Sequence, residues 1–251
     1  MRDNAIVGPT GSPNAPHKTI RNPEHLSESL CISCHNAVAV ITPDLACSFE
    51  TGDEWKAGPY YGKKNCIDCH MSEVERSMVE GMPVRKSHYH SFTGSGIPKH
   101  ESLEVEMLKS LTFKWYDLRE TYESGDVALN LIVKNEHAGH RVPTGDPERF
   151  IIIKMRLMDS QSKLVQEESY RIGEKWQWYP EAKKLDYNNL NPGESRNYKL
   201  KASDLKSGKY FMKLIVTKHR MTAKTAEHNG LDDSYPRSAL MHEDQIEFEV
   251  K

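Results

Sequence analysis

One five-residue pattern occurs twice near the start of the chain: Cys31-Ile32-Ser33-Cys34-His35 and Cys66-Ile67-Asp68-Cys69-His70. Each sets two thiols three positions apart, with an imidazole directly after the second. A Cys-x-x-Cys-His run is the attachment signature of a c-type haem. The thiols add to the haem vinyl groups, the two-residue spacer matches the distance between those groups, and the adjacent histidine reaches the iron from the same side. Two Cys-x-x-Cys pairs can also hold a tetrahedral zinc ion, but that leaves the repeated histidine unexplained. With 12 histidines in 251 residues, a chance histidine after both pairs has odds of roughly 1 in 400. Cys31, Cys34, Cys66 and Cys69 are therefore expected to carry two covalently attached haem c groups, with His35 and His70 as the adjoining iron ligands.

Composition narrows the setting. The chain is 37% hydrophobic with a mean hydropathy of −0.70, so it is polar overall. A net charge of −2 and a pI near 6.6 give no case for nucleic acid or an anionic membrane surface. No apolar run approaches the ~20 residues of a membrane-spanning helix. Haem c is attached outside the cytoplasm, which predicts an extracytoplasmic protein, in the periplasm or at the cell exterior. Residues 1–14 lack the basic and apolar regions of a secretion signal. That leaves a removed signal or a stretch of a longer chain. Cys47, the remaining thiol, reads as buried and inert.

The texture of the chain changes once. Residues 1–30 are rich in Pro, Asn, Gly and Ser and read as an extended wrapping segment. A short helix with Ser27 as N-cap carries the first motif to about Val40, a helical piece lies near Asp53 to Lys56, and Ser72 to Glu80 reads as another helical turn or two. Beyond that, period-2 alternation takes over: Val127, Leu129, Leu131 and Val133 share one face. Glu148–Asp159, Leu164–Ile172, Ser195–Leu200, Gly208–His219 and Gln245–Val250 read as further strands, with turns at Gln161-Ser162 and Asn191-Pro192-Gly193-Glu194. Leu103–Tyr122 reads as a short helix running into a first strand. The expected fold class is α+β: a haem-wrapping N-terminal domain with little regular structure and short helices (1–105), then an antiparallel, Ig-like β-sandwich (106–251).

The second axial position of each iron needs a donor. Nine of the twelve histidines lie within the first 140 residues. His88 and His90 form a His-x-His pair in a loop after the second motif, His17 sits in the leading arm, and His140 lies in a Gly-rich loop between strands. His25 precedes the first motif closely and is a weaker candidate. Methionine is the rival ligand and would raise the potential. Met71 follows His70 too directly to cross the ring, and Met78 and Met82 have no better claim than the histidines. Bis-histidine ligation with low potentials is the expectation, and spacing does not assign the distal partners.

The motifs and their surroundings resemble a known group. Gly8-Pro9, His17, Ser29 to Asn36, Glu54-Trp55, Cys66 to Met71 and His90-Ser91-Phe92-Thr93-Gly94 look like the multihaem c-type cytochromes related to the tetrahaem cytochrome c and hydroxylamine-oxidoreductase-like group. Asn135 and Gly139-His140-Arg141-Val142-Pro143-Thr144-Gly145 are similar to the β-sandwich often appended to such cytochromes. The resemblance implies His17 and His90 as distal ligands. Members often carry a further haem motif upstream, and this chain has only two, so His17 can equally serve a haem of a neighbouring subunit.

Three functions follow as expectations. The first is an electron-transfer protein that passes single electrons between redox partners, themselves cytochromes, through two low-spin haems. The second is a subunit of a multihaem chain, homo-oligomer or filament in which distal histidines are donated between neighbours. The third is a haem enzyme with an open iron site acting on nitrogen or sulfur oxyanions. No acid/base constellation supports the third, so no catalytic residue is named and the reading leans away from an enzyme.

Overall fold

The computed structural model describes residues 4–9, 14–43, 45–77, 80–89, 96–103, 105, 107–123, 125–178 and 180–251. His90, Phe92, Gly94 and Met78 lie outside the described residues, as do the side chains of residues 40, 41 and 45–47, Cys47 among them.

Strand β1 (Ile6–Gly8) runs parallel to β2 (Thr19–Arg21). A 3-10 turn over Pro23–Leu26 leads to helix α1 (Glu28–His35), where the Ser27 hydroxyl accepts from the Ser29 N–H as N-cap. The chain passes directly into β3 (Asn36–Thr42), which pairs antiparallel with β4 (Leu45–Glu50). Helix α2 (Thr51–Lys56) follows, then α3 (Cys66–His70), opened by a reciprocal capping box between Asn65 and Asp68. A hairpin of β5 (Glu73–Arg76) and β6 (Arg85–His88) turns the chain back, clasped by Lys86 Nζ on Glu73 at 2.8 Å.

The later strands are β7 (Leu111–Tyr116), β8 (Thr121–Tyr122), β9 (Val127–Asn135), β10 (Phe150–Asp159), β11 (Leu164–Ile172), β12 (Lys175–Gln177), β13 (Lys183–Asp186), β14 (Ser195–Ala202) and β15 (Gly208–His219). Helix α4 (Ala223–His228) and the long β16 (Ser238–Val250) complete the chain. One sheet has the order β11-β10-β15-β16-β8, a second β14-β9-β7, and β12-β13 forms a small ribbon. Alternation explains why both large sheets hold. Leu131, Val133, Ile151, Ile153, Met155, Leu157, Leu200, Met212, Leu214 and Val216 are all 0% exposed and belong to one hydrophobic cluster. Each such aliphatic side chain contributes about 1.5–3 kcal/mol over its exposed state. The expected turns are present: Asp159 accepts from Gln161 and Lys163, and Gly193 takes a φ of +76° that suits glycine.

The architecture corrects the α+β expectation. Strands take 44% of the structure and helices 13%, so the chain is mainly β, and a helical, haem-wrapping first part is not what it has. The small paired strands β1-β2, β3-β4 and β5-β6 lie where the sequence reading expects loops and helical turns. The reason is local. Asn36–Thr42 is rich in β-branched residues, which favour extended backbone over a continued helix. Ser72–Glu80 lacks a helical apolar stripe, so cross-strand pairing with Arg85–His88 prevails there. Likewise the described residues between Leu103 and β7 form no helix, and β16 begins at Ser238 rather than Gln245.

Candidate functional site

Both motifs occupy short helices, where positions i, i+3 and i+4 share a face. Cys31 and Cys66 are half-buried, and Cys34 and Cys69 are exposed. The two motifs meet: burial, and then the neighbouring Cys31 thiol, push the Cys66 thiol up to about 11. Among the described residues no three His, Cys, Asp or Glu side chains converge in an arrangement that could hold a metal ion.

Neither α1 nor α3 buries a single residue, and Leu26, Leu30, Val38, Tyr61, Met82 and Val84 around them are exposed. Among the described residues before β7, Trp55 and Ile97 are the buried hydrophobic side chains. This stretch therefore presents apolar surface without a core of its own, which a large apolar macrocycle would cover.

The histidines supply a second fit. The His70 and His140 rings have centroids 6.0 Å apart and planes within 20°. An imidazole nitrogen sits about 2.0 Å from a first-row metal and its ring centre about 1.1 Å further, so two imidazoles trans across one ion have centres about 6.2 Å apart. Offset stacking spans a similar range, and the near-parallel ring planes suit a stack as well as a shared ion. The His140 Nδ1 lies 2.8 Å from the Arg141 carbonyl. A carbonyl oxygen only accepts, so Nδ1 carries the proton and Nε2 keeps its lone pair. Ligating histidines characteristically donate their other N–H to such a carbonyl. Burial, then the charge of Lys218, lowers the His140 pKa against that hydrogen bond. His70 keeps an edge open to solvent, yet partial burial and then His140, His35 and Lys218 also hold its imidazole below the ordinary range. Both rings thus favour the neutral form that binds metal.

The other candidates stand as follows. His35 ends α1 and is exposed. His88, exposed at the end of β6, places Nδ1 3.0 Å from the Met71 carbonyl, so the hairpin returns it to the residue after the second motif. His17 is exposed, with Nδ1 3.3 Å from the Lys18 carbonyl. His25 is half-buried in the 3-10 turn.

His140 reaches His70 because its loop is seated on α2 and the segment after it. Gly58 and Gly139 approach so closely that a Cβ on Gly58 would lie 2.1 Å from the Gly139 carbonyl oxygen, while one on Gly139 would meet the Tyr60 ring at 2.8 Å. The loop glycines serve this backbone contact. Beside it, the Glu54 carboxylate accepts from the Thr144 hydroxyl at 2.7 Å and the Arg141 N–H at 3.1 Å, and it pairs with the Arg141 guanidinium at 3.6 Å. Burial raises the Glu54 pKa above 4.5, against the opposing pull of Thr144 and Arg141. A raised folded-state value means that stability from this group is complete below the unfolded value near 4.5 and is lost as pH rises through the folded value. Glu54→Gln, which keeps the acceptor oxygen, is expected to flatten that decline. Urea midpoints measured from about pH 4 to 7 test this, and an unchanged slope would refute it.

Sequence reasoning missed Glu54 as the link between these segments, and it missed Lys218, whose charge bears on both His70 and His140. The signal for Lys218 was present, since its position in the alternation of β15 puts a charge on the inward face.

No family model matches the chain, and no curated protein matches it. Among solved structures it is similar to a penta-haem cytochrome c552 from Thermochromatium tepidum, at 17% identity and a TM-score of 0.60, over 92% of this chain and 59% of that one. The chain thus spans less than two thirds of that protein's length. It is also matched to a CARDB domain from Pyrococcus furiosus (12% identity, 57% of this chain and 86% of that one, TM-score 0.28). A Bacteroides uniformis β-glucuronidase matches at 15% identity over 60% of this chain and 14% of that one, TM-score 0.27. Scores this low carry no argument. The likeness that does carry weight gives the chain a fold like that of a multihaem cytochrome c.

Proposed function

We propose that the protein is a c-type cytochrome that carries single electrons through two closely spaced, covalently bound haems. The observation that carries this reading is the His70–His140 pair, 6.0 Å apart with planes within 20° and with the proton of His140 held on Nδ1 by the Arg141 carbonyl. Cys66 and Cys69 would attach one haem, whose iron His70 and His140 would bind. Cys31 and Cys34 would attach the other, with His35 as the adjoining ligand. His17 and His88 each present Nε2 as His140 does and are the donors for its second side. His90, two residues after His88 in the sequence, competes for this place.

Bound haem supplies a one-electron ferric/ferrous couple, and two histidine ligands keep its potential low. The chain's own residues hold the His140 proton on Nδ1 and would cover the macrocycles with apolar surface. Contact between Cys31 and Cys66 keeps the two attachment sites close. Residues 1–105 carry both attachment motifs, and residues 106–251, which lend His140, form the unit that docks a redox partner, itself a cytochrome. Haem c attachment puts the protein outside the cytoplasm, and among the described residues no helix is long and apolar enough to cross a membrane.

The test is low-temperature EPR with near-infrared magnetic circular dichroism on the oxidised protein. Wild type is expected to show low-spin, bis-histidine signals only. His140→Ala is expected to turn one haem high-spin and leave the other unchanged. A His140→Ala protein with both haems still low-spin would overturn the assignment. A high-spin wild type that binds nitrite or hydroxylamine would favour an enzyme instead.

A further inference from the structure

The inward face of β9 ends on a polar residue. Val127, Leu129, Leu131 and Val133 are buried in alternation, and the next position of that parity, the last of the strand, is Asn135 at 0% exposure. A buried side-chain amide is costly unless its polar atoms are matched. Here they are. The Asn135 Nδ2 donates one hydrogen to the His140 carbonyl at 3.0 Å and the other to the Leu190 carbonyl at 3.1 Å. Its Oδ1 accepts from the Ala138 N–H at 3.3 Å. The backbone of Asn135 is fixed as well, with its N–H on the Glu194 carbonyl at 3.0 Å and its carbonyl accepting from the Gly193 N–H at 2.8 Å. One side chain thus ties the end of the sheet to Ala138, to His140 and to Leu190, which is itself buried and bridged to Val142.

This anchor bears on the ring of His140. The bond from Nδ1 to the Arg141 carbonyl, 2.8 Å, fixes the imidazole against its own backbone and against nothing further away. Where the ring stands relative to His70, 6.0 Å off between centroids, is therefore set by where that backbone stands. From the other side the loop is met by Gly58 against Gly139 and by Glu54 on the Arg141 N–H at 3.1 Å. Asn135 acts on the His140 peptide unit directly.

We propose that Asn135 is a positioning residue: its amide holds the His140 backbone so that Nε2 stays available to the iron that His70 binds, and so keeps that iron closed to outside ligands. This rests on the reading of His70 and His140 as an axial pair. The sheet thereby supplies the distal ligand already placed, through a hydrogen bond behind the ligand rather than through the iron itself. A ligand held in advance keeps its place in both oxidation states, so an electron arrives and leaves with little movement around it.

Imidazole binding to the oxidised holoprotein, followed by the optical spectrum and by EPR, tests the assignment. Asn135→Leu keeps nearly the same shape and removes the bonds to His140, Leu190 and Ala138. Their loss is expected to raise the fraction of open iron about tenfold, and apparent affinity for an outside ligand scales with that fraction. Asn135→Leu is therefore expected to show a high-spin fraction at one haem, to bind imidazole about tenfold more tightly than wild type, and to return to low-spin at saturating imidazole. Leu131→Ala, buried earlier on the same inward face and without a hydrogen-bonding side chain, is expected to bind imidazole as wild type does. If Asn135→Leu does not accumulate, Asn135→Ala makes the same measurement. Two low-spin haems and wild-type imidazole affinity in the Asn135 variant, where His140→Ala does turn one haem high-spin, overturn the role of Asn135 alone. Equal gains in Leu131→Ala and the Asn135 variant also overturn it, since any loss of sheet stability would then suffice. If His140→Ala leaves both haems low-spin, the axial pair fails and the assignment of Asn135 falls with it.

Discussion

Replacing Cys66 and Cys69 together by alanine is expected to remove one covalent haem, so the pyridine haemochrome yield per chain falls to about half. The remaining haem stays on Cys31 and Cys34. Helix α3 is only five residues long and buries none of them, so besides its Asn65–Asp68 capping box it is held by the Cys31 thiol and the His140 ring. Loss of the haem is therefore expected to loosen residues 66–77 and to raise their amide exchange, while β9, β10 and β15 keep theirs. A double variant that retains full haem content would refute the attachment. Haem absent from wild type, with zinc present in stoichiometric amount, would return the four cysteines to the alternative weighed from their spacing.

The second large effect lies far from the motifs. Leu131 is 0% exposed at the centre of β9, between β14 and β7. Leu131→Ala leaves a cavity that neighbours on two strands cannot collapse into, and the expected loss is about 2–5 kcal/mol. It is read from the shift of the urea midpoint at unchanged slope. Lys199→Ala, exposed on the adjacent strand β14, is expected to stay within about 0.5 kcal/mol. Equal effects at the two positions would mean that the shared cluster of the two sheets is not the main source of stability. The haem content of Leu131→Ala at low temperature is expected to equal that of wild type, since the thioethers do not depend on this core.

Much of the second half was legible beforehand. Val127–Asn135, Phe150–Asp159, Leu164–Ile172 and Gly208–His219 fall within a residue or two of the expected strands, because inward and outward residues alternate in all but β11 with little interruption. The first half was less legible. Its strands are short, such as Glu73–Arg76, and each is held by one partner and by side chains such as the Lys86–Glu73 pair. A four-residue segment with a single apolar residue has no period to read. The helix at α1 was readable through its Ser27 cap, but its end at His35 was not, since nothing at Asn36 announces a stop apart from the β-branched run after it.

The chemistry of the motifs and the alternation of the strands were determined by sequence alone, because both are relations among residues only a few positions apart. Cys31 to His35 carry the spacing from which a ligand set is expected, and Leu129, Leu131 and Val133 specify a face by backbone pleat. Tertiary structure alone decided which histidine stands opposite His70 and where the inward cations collect. His140 comes to His70 through the close backbone contact of Gly58 with Gly139 and the buried Glu54 bridge to Arg141 and Thr144. Lys218 comes to the end of the core beside Arg149 through the antiparallel register of β10 and β15. The approach of His140 to His70 has no local signal, because it depends on segments distant in the chain being brought together, and such an approach is set by packing rather than by spacing.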